Sequence, residues 1–147
     1  MAETTQADMN WFGVLAHHAT RTPDQAITVF RGETTSYAEM AERAAALAAG
    51  LAERGVARGE VVALLSYNCP EFLETVFAAN YLGAIAMPIN WRLAAPEVRY
   101  ILEHAGARAL VLSDGPTDDV LRLDLPLPRH PGAVIVVEAA PVLAPGE

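Results

Sequence analysis

Two short runs, Val61 to Leu65 and Ala84 to Met87, are apolar throughout, and a third segment, Ala107 to Leu112, is apolar but for Arg108; they are separated by two stretches whose apolar residues recur at helical spacing. A run that is apolar at every position, yet too short for a typical helix, has no face for water. It is the pattern of a parallel strand covered by helices on both sides. The resulting β-α-β-α-β order implies right-handed crossovers and a parallel sheet. The expected fold class is therefore α/β, with parallel-sheet β-α-β units, helices on both faces and a small N-terminal hairpin.

Punctuation residues place the elements around these runs. Trp11 to Thr20 reads as a first helix, and Thr22-Pro23-Asp24 as a turn, because proline fixes φ and aspartate can bond its own backbone. Ala26 to Phe30 and Glu33 to Ser36 form the expected hairpin across Arg31-Gly32. Ser36-Tyr37-Ala38-Glu39 is a capping box, in which hydroxyl and carboxylate each satisfy an orphan N–H. The helix it opens runs to about Arg54, with Met40, Ala44, Leu47, Ala48 and Leu51 as its apolar stripe and Gly55 as its stop. After the first apolar run, Asn68 or Cys69 caps a helix with Pro70 at or near its first position, where a missing N–H costs nothing. Phe72, Leu73, Val76, Phe77 and Tyr81 form its stripe, and Gly83 closes it. The next run is expected to be a buried strand that ends in Pro88 and the turn Asn90-Trp91-Arg92-Leu93. Pro96-Glu97 then starts a helix with Val98, Ile101, Leu102 and Ala105 on one face, ended by Gly106.

The tail differs in kind. Gly115, Pro116, Pro126, Pro128 and Pro131 leave room only for a short helix over Thr117 to Leu123, and Ala133 to Val137 reads as a last strand. Pro141, Pro145 and Gly146 follow it with no further element, as in a chain cut within a loop. The expected organisation is a disordered or loosely ordered leader over 1–10, an α/β N-terminal subdomain over 11–112, and a Pro-rich connection over 113–147. That connection carries the last strand near 133–137 and a truncated end.

Composition removes whole chemistries. With 147 residues and 52% hydrophobic content there is room for one domain with a real core. Net charge is -8, and all ten basic residues are arginines. Without lysine there is no Schiff base, no lysine general acid and no G-x-x-x-x-G-K-[ST] phosphate loop. An acidic chain with scattered arginines also matches nucleic acid poorly, since that binding is dominated by phosphate neutralisation, so no nucleic-acid partner is expected. The single Cys69 cannot form an internal disulfide. Residues Met1 to Asn10 lack the basic and apolar regions of a secretory signal, and no apolar run approaches the roughly 20 residues of a spanning helix. A soluble cytoplasmic protein is the expectation.

The search for catalytic constellations is mostly negative. Gly50, Gly55 and Gly59 surround a helix end and do not form the G-x-G-x-x-G turn of a dinucleotide site. His17 and His18 are adjacent, diverge by about 100° on a helix and do not share a metal as an i,i+4 pair would. His104, near a helix C-terminus, suits the helix dipole. Cys69 has no base nearby in sequence, and Ser36, Ser66 and Ser113 lack the G-x-S-x-G elbow. Asp114, Asp118 and Asp119 read as a solvated loop and helix start. No catalytic residue and no metal ligand is therefore assigned. Arg92 is the exception. A guanidinium just beyond a strand's carboxyl end lies where open α/β sheets bind ligands, and its fork suits a phosphate. Equally, it has a structural reading, pairing with Glu97 or bonding loop carbonyls.

Four segments, in order, resemble the opening of the AMP-forming acyl-CoA synthetases, or fatty-acid–CoA ligases, of the adenylate-forming superfamily. They are Ala19 to Ile27, Thr35 to Met40, Gly59 to Leu65 and Leu82 to Leu93. The resemblance covers Trp11 to Leu112, and Asn90-Trp91-Arg92-Leu93 is more similar to fatty-acyl and aryl CoA ligases than to peptide-synthetase adenylation domains. It implies an incomplete N-terminal subdomain of a larger adenylate-forming fold. It also implies a two-step reaction in which a carboxylate attacks the α-phosphate of ATP and CoA thiol then displaces AMP.

ATP, Mg2+ and CoA are thus implied for the parent enzyme, with none expected bound to this segment. The family's phosphate loop with its lysine, its ribose-binding aspartate and its adenylation lysine have no counterpart here, so the segment alone is expected to be inactive. By the same resemblance Arg92 approaches the CoA phosphates. Trp91, larger than the residue many members carry, either stacks on an adenine or covers the core. The implied partners are the remainder of its own chain and a carboxylic acid substrate, with a fatty acid the first expectation. A membrane-peripheral parent enzyme is compatible with this reading. An exposed sheet edge would invite self-association. The competing readings are a stand-alone α/β binding or interaction module and a peptide-synthetase-type adenylation fragment.

Overall fold

The computed structural model describes residues 10–113 and 134–137. Its first element is helix α1 (Trp11–Arg21), capped by Asn10, whose Oδ1 accepts the Gly13 N–H at 2.8 Å and whose amide donates to the Asn80 carbonyl at 3.1 Å. Asn10, assigned from sequence to a loose leader, is thereby tied into the fold. Residues 1–9, the short helix expected over Thr117 to Leu123 and the Pro-rich end lie outside the described residues.

Strands β1 (Ala26–Phe30) and β2 (Glu33–Ser36) pair antiparallel around Arg31 and Gly32, with φ of 53° and 82°. Two consecutive positive φ values match the right-handed twist of the flanking strands. The capping box then forms as the residues require: the Glu39 N–H donates to Ser36 Oγ at 3.2 Å, and the Ser36 N–H to Glu39 Oε2 at 2.8 Å. It opens α2 (Tyr37–Glu53), on which Met40, Ala44, Ala48 and Leu51 are fully buried.

Strand β3 (Val61–Leu65) leads to α3 (Pro70–Tyr81), with Cys69 at the N-cap and Pro70 in the first turn. The expected stripe of α3 needs correction. Phe77 is buried, but Tyr81 is 52% exposed, and the fully buried positions include Thr75, Ala78 and Ala79. The reason is that α3 packs on two sides. Ala78 and Ala79 meet the sheet, where small side chains allow close approach, while Phe77 joins Leu15, Met40 and Ala44 of α1 and α2. The Thr75 hydroxyl is satisfied by donating to the Glu71 carbonyl at 2.8 Å.

Strand β4 (Ile85–Pro88) is the second correction. It lies at the edge of a sheet ordered β4, β3, β5 (Ala107–Ser113), β6 (Val134–Val137), with every pair parallel. Ile85 is consequently 53% exposed. The Ile85 and Ile89 N–H groups donate to the Glu60 and Leu64 carbonyls along the neighbouring β3 segment, both at 2.8 Å. Pro88 falls between them in the alternation, at an outward-facing position where a missing N–H costs no ladder bond. Helix α4 (Ala95–Ala105) connects β4 to β5, started by the Glu97 carboxylate accepting the Ala94 N–H at 2.8 Å and ended by Gly106 at φ 61°.

Alternation along the central strands divides the core. Val62 and Leu64 of β3, with Ala109 and Val111 of β5, face Ala48, Leu51, Ala78 and Ala79 of α2 and α3. Ala63 and Leu65, with Leu110 and Leu112, face Val98 and Leu102 of α4. Helices therefore cover both faces, as the unbroken apolarity of β3 requires.

The α2–α3 seam carries an ion-pair cluster, with Arg43 Nη2 lying 2.8 Å from Glu74 and 3.4 Å from Glu71. Burial pushes the Glu74 carboxyl above its ordinary range; Arg43 opposes this and the neighbouring Glu71 adds to it. The folded state thus holds this proton to higher pH than the unfolded chain. Its contribution to stability is present below the ordinary glutamate value and lost as pH rises through the folded one. Replacing Glu74 by Gln should raise the melting temperature near neutral pH, with the gain disappearing in acid. Thermal unfolding across that range checks it, and a lower melting temperature near neutral pH would show the ion pair outweighing desolvation.

Candidate functional site at the strand ends

The carboxyl ends of β3, β4 and β5 meet at one edge of the sheet. Beyond β3 the chain turns into α3 on one face, and beyond β4 it turns into α4 on the other. The carboxyl ends of parallel strands whose connections leave to opposite faces are where open α/β sheets hold ligands. Tyr67 follows β3 at this end of the sheet, and Trp91 and Arg92 follow β4.

Each of these residues is held by a local contact. The Tyr67 N–H donates to Ser113 Oγ at the end of β5, at 3.3 Å, and its carbonyl accepts from the Ser66 hydroxyl at 2.9 Å. The Tyr67 and Trp91 rings meet edge to face, with centroids 4.7 Å apart and planes at 62°. On Trp91 rests the Arg92 guanidinium, its Cζ 4.2 Å from the ring centroid. Asn90 closes the turn beneath them: its Oδ1 accepts the Arg92 N–H at 3.0 Å and its carbonyl accepts the Leu93 N–H at 3.1 Å. Ile89, 6% exposed, anchors the turn in the core.

Arg92 therefore takes neither structural partner considered for it from sequence. The Glu97 carboxylate is occupied with the Ala94 N–H, and among the described residues no carboxylate pairs with Arg92. The guanidinium uses its face on the indole and keeps the N–H edges available. Trp91 remains 37% exposed, so it covers only part of the core and serves as a platform.

The other sequence candidates stay apart. His17 and His18 are neighbours on α1, and His18 stacks on Tyr37 with centroids 4.9 Å apart. His104 stacks on Tyr100. Among the described residues no group of three or more His, Cys, Asp or Glu is placed to hold a metal ion, and no step is assigned to Mg2+ at these residues. Ser36 serves the capping box, and Asp114, Asp118 and Asp119 lie outside the described residues. An apolar groove of about 340 Å³ runs between the hairpin and α3, lined in part by Val29, Phe30, Pro70, Phe72 and Leu73, and no charged side chain lines it. Sequence reasoning missed Tyr67 and the lock to Ser113. No local signal marks this lock, because it depends on β5 lying beside β3, with Leu65 opposite Leu112, a pairing between residues distant in the chain.

A parallel sheet covered by helices on both faces, with an aromatic and cationic ledge at its strand ends, is an α/β scaffold of a kind shared by many families. Comparison with known proteins identifies which one: residues 15–147 match the family described as AMP-binding enzyme, and the chain belongs to it. It is 46% identical over 85 residues to an indoleacetate–CoA ligase of Aromatoleum aromaticum, covering 58% of this chain and 17% of that protein. It is 42% identical over 89 residues to a long-chain-fatty-acid–CoA ligase of Mycobacterium tuberculosis, covering 59% and 18%. The solved structure of a Mycobacterium tuberculosis fatty acyl CoA synthetase superposes with a TM-score of 0.75 at 31% identity, over 86% of this chain and 26% of that one. The expected N-terminal portion of an adenylate-forming fold is thereby established, and the chain spans about a sixth of the curated relatives' length.

Cys69 plays no part in the ledge. It is 7% exposed, its Sγ lies 3.5 Å from Ser66 Oγ, and burial pushes its thiol above the ordinary range. Since the thiolate is the reactive form, the folded protein should resist iodoacetamide near neutral pH and label only on denaturation. Mass spectrometry of labelled samples checks this, and rapid labelling of native protein would contradict it.

Proposed function

We infer that this chain is the N-terminal scaffold of an ATP-dependent acyl-CoA synthetase, which converts a carboxylic acid to an acyl-adenylate and transfers the acyl group to CoA. The observation that carries this reading is the match over residues 15–147, joined to CoA ligases among the relatives sharing over 40% identity. One of those relatives is named for indoleacetate and another for long-chain fatty acids. We therefore extend the fatty-acid expectation to carboxylic acids with an apolar tail, aliphatic or aryl.

Charge accounts for what the segment does and does not supply. Attack on the α-phosphate of ATP requires cations or oriented donors against the charge that develops there. This chain contains no lysine at all, and among the described residues the strand-end ledge carries one guanidinium, that of Arg92. The scaffold thus holds the sheet and the ledge, while adenylation depends on residues supplied by the rest of the enzyme. Arg92 serves the second half-reaction, its free N–H edges bonding a phosphate of the CoA nucleotide portion. Charge-assisted guanidinium–phosphate bonds are the strong class of hydrogen bond.

Two measurements test this reading. The complete ligase should catalyse carboxylate-dependent ATP–pyrophosphate exchange and, with CoA, release AMP, whereas residues 1–147 expressed alone should do neither. Within the complete ligase, Arg92→Ala should raise the KM for CoA on the order of ten-fold and leave the KM for ATP unchanged. An active isolated segment would overturn the scaffold assignment, and an unchanged CoA KM would remove Arg92 from the thioester step.

A further inference from the structure

The Arg92 side chain is long, exposed and rotamer-rich, so a phosphate that recruits it from solution must pay to order it. The structure has that ordering in place. The guanidinium stacks on Trp91 at 4.2 Å, Trp91 is braced edge to face by Tyr67 at 4.7 Å, and Tyr67 is tied by its backbone N–H to Ser113. Three parallel strand ends therefore converge on one cation. The Asn90 side chain fixes the backbone from which Arg92 projects. We propose that Trp91 is a positioning residue for CoA, holding the Arg92 guanidinium by its face so that its in-plane N–H fork is presented to a CoA phosphate, with Tyr67 as the brace that sets the indole plane.

This inference rests on the assignment of Arg92 to a CoA phosphate. Stacking and bidentate bonding use different parts of the guanidinium: the ring quadrupole attracts the cation through its π-face, and the donors lie in the plane. The two are therefore compatible at the same moment. Among the described residues no carboxylate competes for the fork. Leucine in place of Trp91 would keep apolar cover over Tyr67 and remove the quadrupole. Phenylalanine would keep a weaker one.

The test is a double-mutant cycle in the full-length ligase, comparing the parent, Trp91→Leu, Arg92→Ala and the double variant, with Trp91→Phe as the conservative control. KM and kcat are read with CoA, and again with pantetheine, which bears the thiol and lacks the nucleotide phosphates. Trp91→Leu should raise the KM for CoA about three-fold, in line with an exposed cation–π contact, with kcat retained and Trp91→Phe intermediate. It should have no effect with pantetheine, and none with CoA once Arg92 is alanine. Additive losses, or an equal loss toward pantetheine, would show Trp91 acting only as core cover and would overturn the positioning role while Arg92's role stands. A CoA KM indifferent to Arg92→Ala would overturn the phosphate assignment itself, and this inference with it.

Discussion

The burial of β3 on both faces is the constraint on which the rest of the structure depends. Val62 and Ala63 are wholly excluded from solvent, and Leu64 and Leu65 nearly so. Each fully buried Val or Leu side chain contributes about 1.5–3 kcal/mol relative to exposure, and that gain requires a partner layer on each side. Helices α2 and α3 supply one layer and α4 the other. Strand β3 must also satisfy its backbone groups between two neighbours, which β4 and β5 provide. With that strand placed, little freedom remains for the elements joined to it.

The placing of the loops at the strand ends is a direct consequence. Covering both faces from consecutive connections sends the chain after β3 one way and the chain after β4 the other, so the loops separate above the sheet. Tyr67, Trp91 and Arg92 form a stack that spans the ends of two strands and is pinned to a third. The sheet therefore supplies precision to a site whose residues all belong to loops. An arginine on an unbraced loop would lose more side-chain entropy on binding an anion.

Membership of the AMP-binding enzyme family gives these features a setting. The chain covers about a sixth of the relatives' length, and its ten basic residues are all arginines. Among the described strands β4 lies at the edge, with Ile85 open to solvent and Pro88 placed where it breaks no ladder bond.

The sequence alone determined the elements and their order. Unbroken apolarity in Val61 to Leu65, the Ser36–Glu39 capping box, the Arg31-Gly32 turn and the stop at Gly106 are local signals, each acting over a few residues, and all appear where the chain places them. Membership of the family was legible too, because four ordered segments carry it. Tertiary structure decided what depends on neighbours distant in the chain. Ile85 is apolar in sequence, yet exposed, because β4 takes the edge; Tyr81 leaves the core because α3 must present Ala78 and Ala79 to the sheet. The partner of Arg92 was decided in the same way. Glu97 lies close in sequence but is engaged in starting α4, while Trp91 offers a ring that Tyr67, 24 residues earlier, holds in place. Local propensity is written in spacing, whereas exposure and side-chain partnership follow from which strands become neighbours, and that is settled only when the whole sheet closes on its core.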